Sequence, residues 1–292
     1  MGVVIQLHFD CFSGVSGDMI LGALVDAGLP LADLTKGLKA VTLRGYTLRA
    51  QAVRRNGMPA NKVDVAIKAG FRAPLSVARI HQIIAASRLP ERVKEQSHDA
   101  FDRLAKAEAQ AHKMPVARVH FHEVGAMDSL VDVIGSVLGC HLLGAERITA
   151  SPVNLGAGVI ECEHGTLPVP GPAVAALAKG LPVYSQGPAR ELTTPTGLAV
   201  VSVLAQEFTP LPLMRPTKIG YGAGTADPHG WTNALRVFLG DPAPASLPEQ
   251  DVVVQLDTNL DDLNPQAYET VMRSEEHTSE LQSRFGISYA VF

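Results

Sequence analysis

The chain has 292 residues, enough for one large domain or two modest ones with an ample interior. Hydrophobic residues make up 46%, charged residues 18% and aromatics 5%, which predicts a globular protein with an aliphatic core. The formal net charge of −4 excludes a basic surface for nucleic acid or anionic lipid, no uncharged stretch is long enough to cross a bilayer, and the N-terminus shows no leader pattern.

Val3 to Phe9 alternates and is β-rich, which predicts a strand. A Gly/Ser turn follows. Asp18 to Ala27 then carries apolar residues at helical spacing and stops at Gly28 and Pro30, and a short helix is expected from Leu31 to Val41. Tyr46 to Arg54 and Lys62 to Ile67 read as strands around Asn56-Gly57, the strongest short hairpin signal. Helices are expected over Val77 to Ala86 and Pro90 to His112, where Ala and Leu recur three and four apart. Val119 to Glu123 is short and β-like, Ser129 to Leu143 reads as a buried helix, and Arg147 to Asn154 as a strand. Gly171 to Ala178 and Pro195 to Glu207 read as helices opened by Gly/Pro and Thr/Pro signals, and Thr217 to Gly224 and Ala234 to Phe238 as strands.

These elements predict an α/β fold, a mixed sheet with flanking helices, whose strand order is not readable. Residues 1–240 form the N-terminal domain. Residues 241–250, rich in Pro, Ala and Ser, form a linker, and 251–272 open a second C-terminal α/β domain with a strand at Val252 to Asp257 and a helix at Asn264-Pro265. Residues 273–292 change character abruptly. RSEEHTSELQS and ISYAVF match the in-frame translation of a common sequencing adapter, and RFG sits where the index bases fall. This tail is read as an adapter artefact and set aside from fold reasoning.

The stretch from Asp10 to Met19, DCFSGVSGDM, joins the first strand to the first helix. Its glycines let backbone N–H groups face outward at a helix N-terminus, which suits an anion such as a phosphate, with Ser13, Gly14, Ser16 and Gly17 as the cofactor-binding residues. Asp10 and Asp18 suit a divalent cation beside that anion and are the candidate catalytic carboxylates. A tight turn with Ser16 or Asp18 as helix cap is the competing reading.

His120 and His122 are two apart and share one side of a strand, while Asp128 and Asp132 are four apart and share one face of the next helix. Gly125 permits the sharp turn between them. This places two imidazoles and one or two carboxylates where they can converge on a first-row divalent ion such as Ni, Mn or Zn. Glu123 points the other way on a regular strand and is a candidate base or ligand-orienting group. A helix cap at Asp128 with surface histidines is the plainer alternative.

Weaker signals are Glu161-Cys-Glu-His-Gly165, read as a surface loop, and Thr193-Thr-Pro-Thr-Gly197, read as a helix cap. Gly220-Tyr-Gly-Ala-Gly224 lacks a following helix, so it is a poor dinucleotide fingerprint, though it allows close backbone approach. The acidic group Asp257, Asn259, Asp261 and Asp262 suits a cation or a solvated surface. Cys11, Cys140 and Cys162 are far apart and odd in number, which excludes a disulfide framework and fits a reducing, cytoplasmic setting.

Five segments taken together resemble the LarC family of nickel-insertion proteins: FDCFSGVSGDMILGALVDAGLP, VHFHEVGAMDSLVDVIG, SPVNLGAGVIECEHGTLPVPGPA, ELTTPTGLA and GYGAGT. The resemblance runs from about Val4 to Met272. It implies a lyase-class chelatase that inserts Ni(II) into pyridinium-3,5-bisthiocarboxylic acid mononucleotide, using CTP with Mn or Mg and attaching CMP transiently. The product is the nickel-pincer nucleotide of lactate racemase-type enzymes. The metal assignment to His120, His122, Asp128 and Asp132 rests on spacing. Two departures stand out. Lys68-Ala-Gly-Phe-Arg-Ala-Pro74 replaces a histidine-rich loop common in relatives, and the C-terminal domain expected to hold the CTP site is present only as VVVQLDTNLDDLNPQAYETVM. The competing functions are a non-enzymatic nickel-binding module or metallochaperone and a metal-dependent phosphohydrolase. The expected partner is the mononucleotide substrate, with neither nucleic acid nor membrane, and homo-oligomer formation stays open.

Overall fold

The computed structural model describes residues 4–243, apart from 69, 72–74, 120–126 and 163–164. Strand β1 (Ile5–Asp10) lies inside the sheet with partners on both sides, which is why Gln6 to Phe9 are buried at both parities. Helix α1 (Gly17–Asp26) ends before Gly28, whose φ of 102° is the left-handed stop that glycine adopts without strain. Helix α2 (Leu31–Leu38) follows Pro30. Strands β2 (Tyr46–Arg55) and β3 (Met58–Ile67) form the expected hairpin, with Asn56 at φ 46° and Gly57 at φ 83° in the turn.

Helices α3 (Val77–Ala85) and α4 (Glu91–Ala111) come next, and α5 (Met127–Leu142) is buried along most of its length because nearly every residue is small or apolar. The strand expected over Arg147 to Asn154 is broken into β4 (Ala145–Ala150) and β5 (Val153–Asn154). Pro152 cannot continue a ladder, so the pairing with β1 ends with the Ser151 N–H donating to the Phe9 carbonyl at 2.8 Å. Residues read as a surface loop form a hairpin, β6 (Val159–Cys162) with β7 (Gly165–Pro168). Helix α6 (Pro172–Leu177), strand β8 (Val183–Tyr184), helix α7 (Pro195–Leu204) and strand β9 (Glu207–Phe208) lead to the last hairpin, β10 (Met214–Ala223) and β11 (Ala234–Pro242). The chain therefore stays in strand through Pro242, two residues into the expected linker.

Seven strands form one mixed sheet in the order β2-β3-β10-β11-β1-β4-β9. β1 is antiparallel to β11 and parallel to β4, and β10 joins the two halves by pairing antiparallel with β11 and parallel with β3 through Gly222 and Asn61. One aliphatic core runs between this sheet and the helices, with Leu7, Phe9, Ile20, Leu24, Ile134 and Leu198 fully buried. No described helix is long and apolar enough to cross a membrane. The chain divides into units Met1–Ala243 and Pro244–Phe292. The expected second-domain start and the adapter-like tail lie outside the described residues.

Candidate functional site

Four of the motifs singled out in the sequence meet around the loop between β1 and α1. Ser151 Oγ accepts from the Cys11 N–H at 2.9 Å. The buried Asn154 donates from Nδ2 to the Phe12 carbonyl at 2.9 Å and to the Gln186 carbonyl at 3.0 Å. Thr193 Oγ1 accepts from the Val15 N–H at 3.3 Å and donates to the Asn154 carbonyl at 2.7 Å. Thr194 caps α7 by accepting from the Gly197 N–H at 3.3 Å, as expected, and its own N–H donates to the Val15 carbonyl. A Cβ on Gly197 would stand 2.4 Å from that carbonyl oxygen, so glycine alone lets α7 approach the loop.

The glycines of the GYGAG segment serve packing rather than a ligand. A Cβ on Gly222 would lie 1.8 Å from the Met19 carbonyl oxygen, and one on Gly220 would lie 2.1 Å from that of Ala23. On the facing side, a Cβ on Gly22 would lie 2.3 Å from the Asn61 carbonyl oxygen. Bare backbone on both surfaces draws α1 onto β3 and β10 and sets the N-terminal turn of α1 over Lys62.

There the charges gather. Lys62 forms ion pairs with Asp18 and, at 3.2 Å, with Asp64. Burial works against the Lys62 ammonium, but Asp18 and Asp64 outweigh it and hold its pKa above the ordinary lysine value. Asp18 also accepts hydrogen bonds from Ser16 Oγ, from the Met19 N–H at 2.9 Å and from Thr225 Oγ1 at 3.3 Å. Asp132 of α5 sits against Gly17, where a Cβ would be 2.5 Å from the Asp132 Cβ. Its Oδ1 is buried and has no hydrogen-bond partner among the described residues. Burial, then the charges of Asp18 and Asp128, push the Asp132 carboxyl well above the ordinary aspartate range, with Lys62 opposing. Among the described residues nothing offsets the cost of burying that acceptor.

The sequence-selected residues divide accordingly. Asp18, Ser16, Gly17 and Asp132 come together with Lys62. Asp128 lies on the exposed first turn of α5 and accepts from the Ser129 N–H at 2.9 Å. Asp10 lies apart from them, in a two-nitrogen ion pair with Arg236, whose Nε stands 2.9 Å from its Oδ2. Ser13, expected to face an anion, is buried and accepts from the Trp231 indole N–H at 2.7 Å. Gly14, expected in the same role, turns at φ 74° against Leu192, whose carbonyl oxygen a Cβ would approach to 2.1 Å. Both faces of the anion reading are thus closed at residues 13–14: their polar and open surfaces meet protein. His120, His122 and Glu123 lie outside the described residues. Among the described residues, no three His, Cys, Asp or Glu side chains are placed to hold a metal ion.

Sequence reasoning missed Lys62, Asp64 and Thr225. Lys62 and Asp64 are two apart on a strand and share the face that carries Ala60, so a lysine on the inward parity next to an acid was the available signal. Cys11 and Cys140 are both buried, and burial pushes the Cys11 thiol up and the Cys140 thiol up to about 12, which removes either as a thiolate nucleophile. A cavity of about 810 Å³ lies at the other end of β1, lined by Ile5, Leu29, Lys36, Lys218 and Asp241 among others. None of the residues selected from the sequence lines it.

The chain matches the family described as nickel insertion protein over residues 7–277. A relative from Syntrophobacter fumaroxidans named for nickel insertion is 46% identical over 268 residues, covering 91% of this chain and 67% of its own. The pyridinium-3,5-bisthiocarboxylic acid mononucleotide nickel insertion protein of Desulfitobacterium hafniense is 42% identical over 267 residues, covering 90% of this chain and 66% of its own. A further relative named for nickel insertion, from Thermomicrobium roseum, is 45% identical over 270 residues, covering 91% and 65%. The chain thus spans about two thirds of the length of the curated relatives it matches. No solved structure matches it.

Proposed function

This chain belongs to the nickel insertion protein family, and on that premise we propose that it inserts nickel into pyridinium-3,5-bisthiocarboxylic acid mononucleotide. Nickel is the cargo and the mononucleotide its acceptor. The single structural observation that supports a site for them is the buried Oδ1 of Asp132 beside Asp18 and Lys62, which has no hydrogen-bond partner among the described residues. A carboxyl group raised above its ordinary range is neutral more readily, and a divalent cation is the partner that restores its charge in a buried setting. Lys62 and the N-terminal turns of α1 and α7 supply positive potential for the phosphate of the mononucleotide.

The metal set we propose is His120, His122, Asp128 and Asp132, with the histidines arriving on the segment that enters α5. Asp18 holds Lys62 in place, and Glu123 is the candidate proton acceptor. Asp10, Ser13 and Gly14, tied to Arg236, Trp231 and Leu192, fix the shape of the loop that presents Ser16 to Asp18. The reaction is proposed to use CTP with Mn or Mg. CMP joins the substrate as pyrophosphate leaves, and once nickel is in place water takes up the nucleotidyl phosphorus so that CMP departs. We expect that nucleotide site in the C-terminal domain.

The test is to incubate the purified chain with the mononucleotide and nickel, with and without CTP and Mn or Mg, and to follow pyrophosphate and nickel-bearing product by mass spectrometry. Product that depends on CTP supports the chelatase. Nickel bound without product or CTP consumption assigns this chain the metallochaperone reading instead. Replacing His122 by Ala and counting bound nickel tests the ligand set, which unchanged stoichiometry would remove.

A further inference from the structure

At the end of β2, Arg55 directs most of its guanidinium at a single backbone carbonyl. Nε and Nη2 donate to the Gly224 oxygen at 2.9 and 2.7 Å, and Nη1 donates to the Arg54 carbonyl at 3.0 Å. Among the described residues Arg55 enters no ion pair. A rigid fork of two N–H groups fixes an acceptor in direction as well as in distance. The Gly224 carbonyl and the Thr225 nitrogen share one planar peptide, so gripping the first sets the second. The turn beyond is fastened too. The Gly224 N–H donates to the Asn233 carbonyl at 3.0 Å, and the buried Asn233 donates from Nδ2 to the Ala226 carbonyl at 2.9 Å.

This grip holds the Thr225 hydroxyl, which donates to Asp18 Oδ2 at 3.3 Å. The same oxygen takes the Lys62 ammonium, while Oδ1 takes Ser16 Oγ and the Met19 N–H. Each carboxylate oxygen thus accepts two hydrogen bonds, one for each lone pair, and Asp18 is saturated. Saturation matters to Lys62. An ammonium is a point charge on a flexible stem, so its partners decide where it points. Of its three N–H groups, one goes to Asp18 and one to Asp64 at 3.2 Å, and the third has no partner among the described residues. With Thr225 in place, the ammonium has one lone pair of Oδ2 to occupy. Without Thr225 it can swing to the other, and the third N–H turns with it.

We propose that Arg55 is a positioning residue for the candidate site: through the Gly224 carbonyl it holds Thr225 on Asp18, and so aims the third N–H of Lys62 at the anionic group of the substrate. The inference rests on the reading of Lys62 as a partner of the substrate phosphate. It gives that site a second layer, since Arg55 and the carbonyl it grips are 169 residues apart in the chain.

The test compares Arg55→Lys, Thr225→Val and their double variant in the full chain. The first readout needs no ligand. It is the nitrogen resonance of the Lys62 ammonium, assigned by its disappearance in Lys62→Met. Each single substitution is expected to shift it, and the double variant to shift it no further than Thr225→Val alone, because Arg55 works through Thr225. Thr225→Ser keeps the hydroxyl and is expected to restore the resonance. The second readout is mononucleotide affinity by calorimetry, which each single substitution is expected to lower about tenfold, the effect of one hydrogen bond to a charged group. An Arg55 that only braces the fold would lower the urea midpoint and leave the Lys62 resonance in place, and that result would overturn the proposal. So would shifts that add up in the double variant. Mononucleotide that fails to bind even the unsubstituted chain would remove the function proposed for the site, and the resonance would still decide whether Arg55 positions Lys62.

Discussion

From Asp10 to Val15 the loop after β1 is fastened on every side, whereas from Ser16 to Asp18 the same loop faces a cluster of charges in which a buried Asp132 oxygen has no partner among the described residues. Asp10 and Asp18 look alike in sequence, each an acid at the edge of a Gly/Ser turn. Arg236 pairs with one and closes it off, while Lys62 pairs with the other and leaves it beside Asp132. The difference teaches that composition marks a loop for chemistry, but the residues arriving from distant strands decide which end of it performs that chemistry.

The strongest way to break this comparison is Gly14→Ala. The left-handed φ and the Leu192 carbonyl together predict a loss of about 4 kcal/mol, read as a lower urea midpoint. A variant that folds normally but no longer binds a phosphorylated ligand would return Gly14 to the binding half.

A pH profile probes the fastened half next. His8, buried just before the loop, donates to or accepts from Thr149 Oγ1 at 2.8 Å, and burial lowers its pKa to about 4. The unfolded chain binds a proton near pH 6.5 and the folded chain only near 4, so stability is full above the unfolded value and is lost as pH falls between the two. The loss is on the order of 3 kcal/mol. His8→Gln should flatten that part of the profile, and an unchanged slope would show that His8 is not the group responsible.

The charged half is sharpened by Lys62→Met. It leaves Asp18 without its ammonium, and because Lys62 is buried but Asp18 only partly so the expected loss is about 2 kcal/mol, with weaker binding of the mononucleotide in calorimetry. Equal affinity with and without Lys62 would detach the cluster from the phosphate.

The smallest effect has the opposite sign. Asp132→Asn removes a carboxyl that burial disfavours in its charged form, so the protein should gain about 1 kcal/mol at neutral pH while binding less nickel. A destabilised variant with normal nickel content would make Asp132 a structural residue.

Much of the fold was legible because its signals are local. Asn56-Gly57 set the first hairpin, Gly28 and Pro30 ended α1, and apolar spacing placed α3, α4 and α5, since turn conformation and helical period depend only on neighbours. The break between β4 and β5 was passed over although Pro152 marks it, and the hairpin of β6 and β7 was not read, because those strands pair only with each other and not with the main sheet. The same division holds at the site. Sequence alone determined that residues 10–18 form a strand-to-helix loop and that Asp128 and Asp132 share a helix. Only the tertiary structure decided that Asp18 and Asp132 meet over Lys62 while Asp10 turns to Arg236, because the sheet order that brings β3, β10 and β11 beside β1 is a property of long-range pairing and not of any window of sequence.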